Sequence, residues 1–523
     1  MSFENRTENI TRRPEPGTLG WLWIAIPSLL IGCLVCAQLF TFAQRFNDTG
    51  LVMVVLAIGC PVVLLIVALA ARQGLAHVRS FIPTLRWWHW LWALTIVSAM
   101  VFRQRTAADI ASDPLDAWAI FRIIVDMVVA SVLLGRLALR RTHWVGSMFR
   151  GVVGAVSVYG LVCLASTVWS VFPPWTLFKS LEYLLDVAIL AAVLTTLESV
   201  DQYRNFLNWT WALYAFLLLS VWKDVLLWPQ AALYGEVVPG APLGIRLGGV
   251  MPAASSNDVA TFASILGLVC LARLFPATEE ERFPKLWYTL ALLVCMVSLV
   301  LSQTRAALAG FALGGFFILL FSKQGRMGAV FTLVVAPTLA LCTMGGTIWS
   351  FMERGQTAAQ MGTLSSRTEW WGLAWQTFLE RPLTGLGAYA GGRFAVLAKA
   401  GFGGTGTMHS DYLEVLVGTG IWGLIPLFAA LAGTWWLIFR FVREYAGTQE
   451  GQLAHEALAI LALLTLRSAF NNMLTWHPPL PFLVILGYAE FLRRRRKANE
   501  YDPSYSRGAL SPQEDSAALP VVN

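Results

Sequence analysis

Met408-His-Ser-Asp-Tyr-Leu-Glu-Val-Leu-Val-Gly-Thr-Gly-Ile-Trp-Gly-Leu-Ile-Pro426 sets a histidine and two carboxylates at the mouth of a long apolar run. Polar residues that open a membrane helix point to chemistry at the membrane surface. The rest of the chain, 523 residues with 57% hydrophobic and 13% charged, departs from soluble globules, which average about half apolar and a quarter charged. At about 20 apolar residues per crossing, candidate spans fall at 20–43, 50–71, 84–101, 118–137, 150–170, 175–197, 206–228, 254–275, 286–303, 306–322, 327–351, 418–440, 456–473 and 478–492. The expected fold is an all-α polytopic integral membrane protein of about 12–14 transmembrane helices. Residues 1–19 read as a cytoplasmic N-terminal segment, 20–497 as the membrane domain and 498–523 as a disordered cytoplasmic tail.

Basic residues sort largely by alternate loops: Arg72, Arg79 and Arg86; Arg136, Arg140, Arg141 and Arg150; Lys323 and Arg326; Arg440 and Arg443; Arg493 to Lys497. The positive-inside rule makes these loops and both termini cytoplasmic, with Arg103 and Arg105 as exceptions. Residues 229–253, the junction Ser302-Gln-Thr-Arg305 and a large loop, 352–417, then face outward, as do His409 and His477. The net charge of +7 follows from this topology and from attraction to the membrane surface, so no nucleic-acid partner is expected. All seven cysteines lie within apolar runs and read as packing residues; the Cys33-x-x-Cys36 pair has no second pair to make a zinc or redox site.

The outward loop carries Arg354, Arg367, Arg381, Arg393 and Lys399 on a face where cations are normally scarce, which points to an anionic ligand. Within it, 365–379 reads as an amphipathic helix with Trp370, Trp371, Trp375 and Phe378 laid on the membrane and Arg367 in the first turn. A cation there opposes the helix dipole; lipid-phosphate contact and ligand binding both account for it. Pro382-Leu-Thr-Gly-Leu-Gly387 ends that helix, and Gly401-Phe-Gly-Gly-Thr-Gly406 makes a mobile stretch without the Lys-Ser/Thr of a nucleotide loop. Asp411 and Glu414 have capping-box spacing and are equally candidate ligands for substrate. His409, just ahead of a helix N-terminus, is favoured as neutral imidazole, able to accept a proton from a sugar hydroxyl. Arg305 sits at the membrane surface, where a bound phosphate or a lipid headgroup is its natural partner. Arg246 adds another cation, and Asn257 a polar side chain at the entrance of the eighth span. Lys179 and Glu182 are spaced as an internal pair. No ligand spacing for a metal is present, and no cofactor is expected.

Three segments together resemble the O-antigen ligase and polysaccharide polymerase (Wzy-type) family. They are Ser302-Gln-Thr-Arg-Ala-Ala-Leu-Ala-Gly310, the run from Ser366-Arg-Thr-Glu-Trp-Trp371 to Arg381-Pro-Leu-Thr-Gly-Leu-Gly387, and Met408-His-Ser-Asp-Tyr-Leu-Glu414. Their order and spacing match, and Arg246 to Asn257 resembles a weaker upstream motif. The resemblance covers about residues 240–440. It implies a metal-independent glycosyltransferase of the GT-C type in a bacterial inner membrane, taking glycan from a polyprenyl-diphosphate carrier on the external face. The acceptor would be a glycan or a lipid core, and a flippase and a chain-length regulator would be partners. Carried over by motif, Arg305 and Arg367 hold the diphosphate and His409 handles the acceptor or leaving-group proton. Read from their own positions, Arg246, Asn257, Arg381, Arg393, Asp411 and Glu414 are substrate-binding candidates. Gln303 departs from the family's small residue. A repeat-unit polymerase is slightly favoured over a ligase or a protein oligosaccharyltransferase; a transporter of lipid-linked glycan is the competing class.

Overall fold

The computed structural model describes residues 85–501 except 101–106, 114, 140–142, 235–244, 276–284, 323–345, 347–366, 402–405 and 477–478. The expected N-terminal segment, the spans 20–43 and 50–71, the span 327–351 apart from residue 346, Arg103, Arg105, Arg354 and His477 therefore lie outside the described residues. Among the described residues, twelve helices have ten residues or more. They are α1 (Trp87–Met100), α2 (Ala117–Ala138), α3 (Gly151–Ala165), α4 (Pro173–Leu194), α5 (Val200–Leu227), α6 (Ser256–Leu274), α7 (Lys285–Ser302), α8 (Arg305–Phe321), α9 (Arg367–Glu380), α10 (Asp411–Glu444), α11 (Gln449–Ser468) and α12 (Leu480–Tyr501). Among the described residues, five segments are long and apolar enough to cross a membrane: α3 with its 3-10 continuation to Trp169, α5, α6, α7 and α10. The chain is an all-α, multi-pass membrane protein. Helix α12 runs through Tyr501, into the segment expected to be a disordered tail, and the remainder of that tail lies outside the described residues.

Helix α10 opens at Asp411, where its polar first turn places a helix start, ahead of the apolar span 418–440, and α11 opens at Gln449, ahead of the apolar span 456–473. Both helices begin with a polar turn that hydropathy alone leaves out. Asp411 and Glu414 lie in the first turn of α10, and Thr448 caps α11 by accepting from the Gly451 N–H.

By contact the chain divides into two units. The described part of the first is residues 85–86 and 222–231, where Lys223 and Asp224 lie 3.0 Å apart. The second is Trp87–Val221 and Ala232–Asn523. Helix α6 packs on α7 and α8, α8 on α11, α10 on α3 and α11, and α3 on α4. The α8–α11 seam is close because Gly310 and Gly314 leave room for it: a Cβ at Gly310 would lie 2.5 Å from the Leu463 side chain, and one at Gly314 2.7 Å from the Ala459 carbonyl. Small residues four apart are how apolar helices approach when burial from water no longer drives them together. Lys179 and Glu182 do form an ion pair, 2.6 Å, and Arg122 of α2 joins the same carboxylate at 2.6 Å, so the Glu182 charge is met by two cations. Cys163, Cys270 and Cys295 are buried free thiols.

Helix α10 is broken at Gly420, whose φ of 62° and ψ of −152° suit glycine alone. The break frees backbone groups that an apolar environment would leave unsatisfied. The segment Pro382–Gly387 fills that need. Leu386 N–H donates to the Val417 carbonyl (2.8 Å), Gly387 N–H to that of Gly418 (2.8 Å), and Ile421 N–H to that of Pro382 (2.9 Å). The same segment is stitched to the α3–α4 junction, where Val171 N–H donates to Leu386 and the Trp169 indole to Thr384. The Pro-Leu-Thr-Gly-Leu-Gly run is thus a strap that completes a broken membrane helix and sets the entry of α10, on which His409 stands.

Candidate functional site

The turn Ser302–Thr304, between α7 and α8, is buried and points Gln303 and Thr304, the two residues before Arg305, at fixed partners. Gln303 adopts a left-handed φ of 52° and its side-chain amide donates to the Ile245 carbonyl at 2.8 Å. That contact holds the short ribbon in which Arg246–Leu247 pairs with Leu233–Tyr234. Thr304 is the N-cap of α8, and its hydroxyl donates to Asn257 Oδ1 at 3.3 Å. Asn257 lies in the first turn of α6, next to the Ser255–Asp258 capping box that consumes the Asp258 carboxylate. Arg305 is half-buried and opens α8, and the charge of the exposed Arg246 is near enough to act on it. Gln303 thus ties the strand that carries Arg246 to the turn before Arg305.

Arg367 opens α9, half-buried, and its Nη1 donates to the Phe470 carbonyl at 3.0 Å. Burial first, and then the charge of Arg305, press its guanidinium below its ordinary pKa. Two cations close enough to act on each other make a favourable place for an anion to be shared. The expected single aromatic face of α9 is corrected: its aromatic residues divide between two faces. Trp370, Ala374 and Phe378 are buried, and the first two pack with Val396, Leu397, Met408 and Val417, while Trp375, Leu373 and Leu379 are exposed. Trp371 donates its indole N–H to the Met408 carbonyl at 3.1 Å, so this helix grips the strand that presents the histidine.

His409 has a left-handed φ of 52°, strained for a non-glycine residue, between the buried Met408 and Ser410. Its ring tilts against Trp370 with centroids 6.4 Å apart and hydrogen-bonds the Asn471 side chain. Nδ1 is buried without a hydrogen-bond partner among the described residues. Burial first, and then the charge of Arg367, lower the imidazole from 6.5 to about 4. The ring is therefore neutral near pH 7, with an unoccupied acceptor nitrogen.

Asp411 and Glu414 do not form the expected capping box. Ser410 is the N-cap and makes no side-chain cap bond. The Asp411 carboxylate turns instead to the segment after α11, accepting from the backbone N–H of Met473 (2.6 Å), Leu474 (2.9 Å) and Thr475 (3.3 Å) and from the Thr475 hydroxyl. Four donors on one buried carboxylate make it the organiser of residues 473–475. Asp411→Asn, which puts an amide N–H against those donors, should destabilise the fold by about 1–3 kcal/mol. Thermal unfolding in detergent reads this as a lowered Tm; an unchanged Tm would mean that the segment is held otherwise. Glu414 Oε1 accepts from the Met408 N–H at 2.6 Å, bracing the residue before His409.

Arg393 is buried at 6% exposure, over the Trp175 ring at 5.2 Å and within electrostatic reach of Glu414. Trp175 carries Lys179 at the same 5.2 Å. Arg381 is exposed at the end of α9. The structure therefore brings Arg246, Arg305, Arg367 and His409 into one electrostatically linked row, supports it from Asn257, Asp411 and Glu414, and sets Arg393 beside Glu414; no contact links Arg381 to the row among the described residues.

The sequence reading passed over the end of α11 and the turn after it. Phe470 supplies the carbonyl for Arg367, Asn471 the hydrogen bond to His409, and Met473 to Thr475 the donors for Asp411. An arginine, Arg467, and two consecutive asparagines closing an apolar run were the available signal. Residues 290–428 match the family model described as O-Antigen ligase, a segment that contains Arg305, Arg367, Arg381, Arg393, His409, Asp411 and Glu414. That segment is similar to the O-antigen ligase family. No curated protein matches the chain.

Proposed function

We propose that the protein is a metal-independent glycosyltransferase of the inner membrane, with both termini cytoplasmic, that transfers glycan from an undecaprenyl-diphosphate donor on the external face, as a repeat-unit polymerase. The observation that carries this is the row Arg305, Arg367, His409: two mutually repelling guanidiniums beside a neutral imidazole whose buried Nδ1 has no hydrogen-bond partner among the described residues. Arg305 and Arg367 hold the diphosphate, Arg246 extends the cationic surface, and Arg381 and Arg393 meet the glycan. An acceptor hydroxyl oxygen attacks the anomeric carbon, the bond from that carbon to the diphosphate oxygen breaks, and the electron pair leaves with the diphosphate. The arginines stabilise the charge that develops there, and His409 Nδ1 takes the hydroxyl proton.

The test is to reconstitute the purified protein with a polyprenyl-diphosphate repeat unit, with and without a lipid-core acceptor and with EDTA, and to resolve products on a glycan gel. A ladder formed without added acceptor supports a polymerase. A single shifted acceptor band would make it a ligase, and donor crossing the bilayer without any new glycosidic bond would make it a transporter.

The pH dependence follows from the same site. Because His409 acts as the neutral ring and its pKa is lowered to about 4, kcat/KM should stay level as pH falls through 6.5 and decline only near 4. A decline at 6.5 that vanishes in His409→Gln would show an imidazole not pressed by burial and Arg367.

A further inference from the structure

We propose that Arg467, at the end of α11, is a positioning residue that sets Arg305 and Arg367 at the spacing of a diphosphate; this rests on the donor-binding reading above. Its side chain is fully buried. Nη1 donates to the Thr261 hydroxyl at 2.7 Å and Nη2 to the Asn257 carbonyl at 3.1 Å, both on the first turns of α6, while Nε is buried without a partner among the described residues. The charge of Asp258 acts on it, but a guanidinium with no carboxylate in its hydrogen-bond shell remains costly inside a membrane protein. An apolar side chain would pack α11 against α6 as well, so packing alone does not account for it.

What the charge does is visible on either side of it. The Asn257 whose backbone it holds accepts from the Thr304 hydroxyl at 3.3 Å through its own side chain, and Thr304 is the cap from which Arg305 emerges. In the other direction, the Arg467 carbonyl accepts from the Phe470 N–H at 2.8 Å, and the Phe470 carbonyl takes Arg367 at 3.0 Å. The Phe470 ring also faces Trp371 of the helix that Arg367 opens, with centroids 6.1 Å apart. One turn of chain, 467–470, is thus fastened to the base of one guanidinium and bonded directly to the other. Two phosphates joined by a bridging oxygen demand a defined distance between their cations; a single phosphate does not.

That difference gives a readout a general loss of stability would not move. Affinities for undecaprenyl diphosphate and undecaprenyl monophosphate are measured by the wild type, Arg467→Lys, Thr304→Val, Arg305→Lys and the Arg467→Lys/Arg305→Lys double variant, each checked by thermal unfolding. Arg467→Lys keeps the charge but loses the fork that spans Thr261 and Asn257. The expected result is a fall of roughly tenfold in the diphosphate to monophosphate preference. Thr304→Val, which cuts the same path without touching a buried charge, should move the preference in the same direction, and Arg467→Lys should add little once Arg305→Lys is present. Parallel loss of both affinities, an unchanged preference in both Arg467→Lys and Thr304→Val, or full multiplicativity with Arg305→Lys would overturn the assignment. A wild type without preference for the diphosphate would instead remove the donor-binding reading on which it stands.

Discussion

His409→Ala should abolish transfer by about 10²–10⁴-fold, the range a positioned general base contributes, while donor affinity stays close to wild type. At 1.36 kcal/mol per factor of ten this is about 3–5 kcal/mol of transition-state stabilisation. The nearest carboxylates are held by the fold: Asp411 has its acceptor oxygens filled by the 473–475 segment, and Glu414 has Oε1 engaged by the Met408 N–H and Oε2 buried. His409→Gln separates the proton from the packing, because glutamine is similar in reach and can still bond Asn471 but cannot take a proton at pH 7. Equal losses in the two variants are expected in a single-turnover assay. Substantial activity in His409→Gln would exclude proton transfer as this residue's part in the reaction.

Arg367→Lys should raise the donor KM and cost roughly 10²–10³-fold in kcat/KM, the scale on which loss of one preorganised charge-stabilising donor is felt. Lysine retains the charge, but its single ammonium cannot both bond the Phe470 carbonyl and present a flat pair of donors to phosphate. A neutral replacement gives a second, independent signature. In Arg367→Gln the charge pressing on His409 is gone, so the acid limb should move up from about 4 yet remain below 6.5, since burial is the larger cause. A limb unmoved by Arg367→Gln would mean that the two residues do not act on each other, and the row of cations would lose its link to the histidine.

Much of this was legible in the linear chain, and the parts that were not share a cause. Apolar run length and charge count mark membrane helices because a bilayer tolerates few ionised groups and requires internally bonded backbone; hence the matches of α2, α6, α7 and α8 with their expected spans. Short motifs named Arg305, Arg367 and His409 because each sits where an apolar run begins or ends, and a charge there stands out. Hydropathy missed the polar first turns of α10 and α11, and periodicity assigned one face to the aromatic residues of α9 when the fold uses two. Asp411 and Glu414 illustrate the limit best. Their spacing describes a local cap, yet the donors that Asp411 satisfies come from 62 to 64 residues away.

The sequence by itself determined that this is a helical membrane protein with cations and a histidine gathered at helix ends, because hydrophobic length and buried charge are local properties with large energies. Only the tertiary structure decided which of those cations stand together, that Gln303 and the strap 382–387 have structural work, and that Arg467 and the turn after α11 join the site. Those outcomes depend on hydrogen bonds between residues far apart in the chain, each worth about 1 kcal/mol, and no pattern in one segment records the partner that another segment will bring to it.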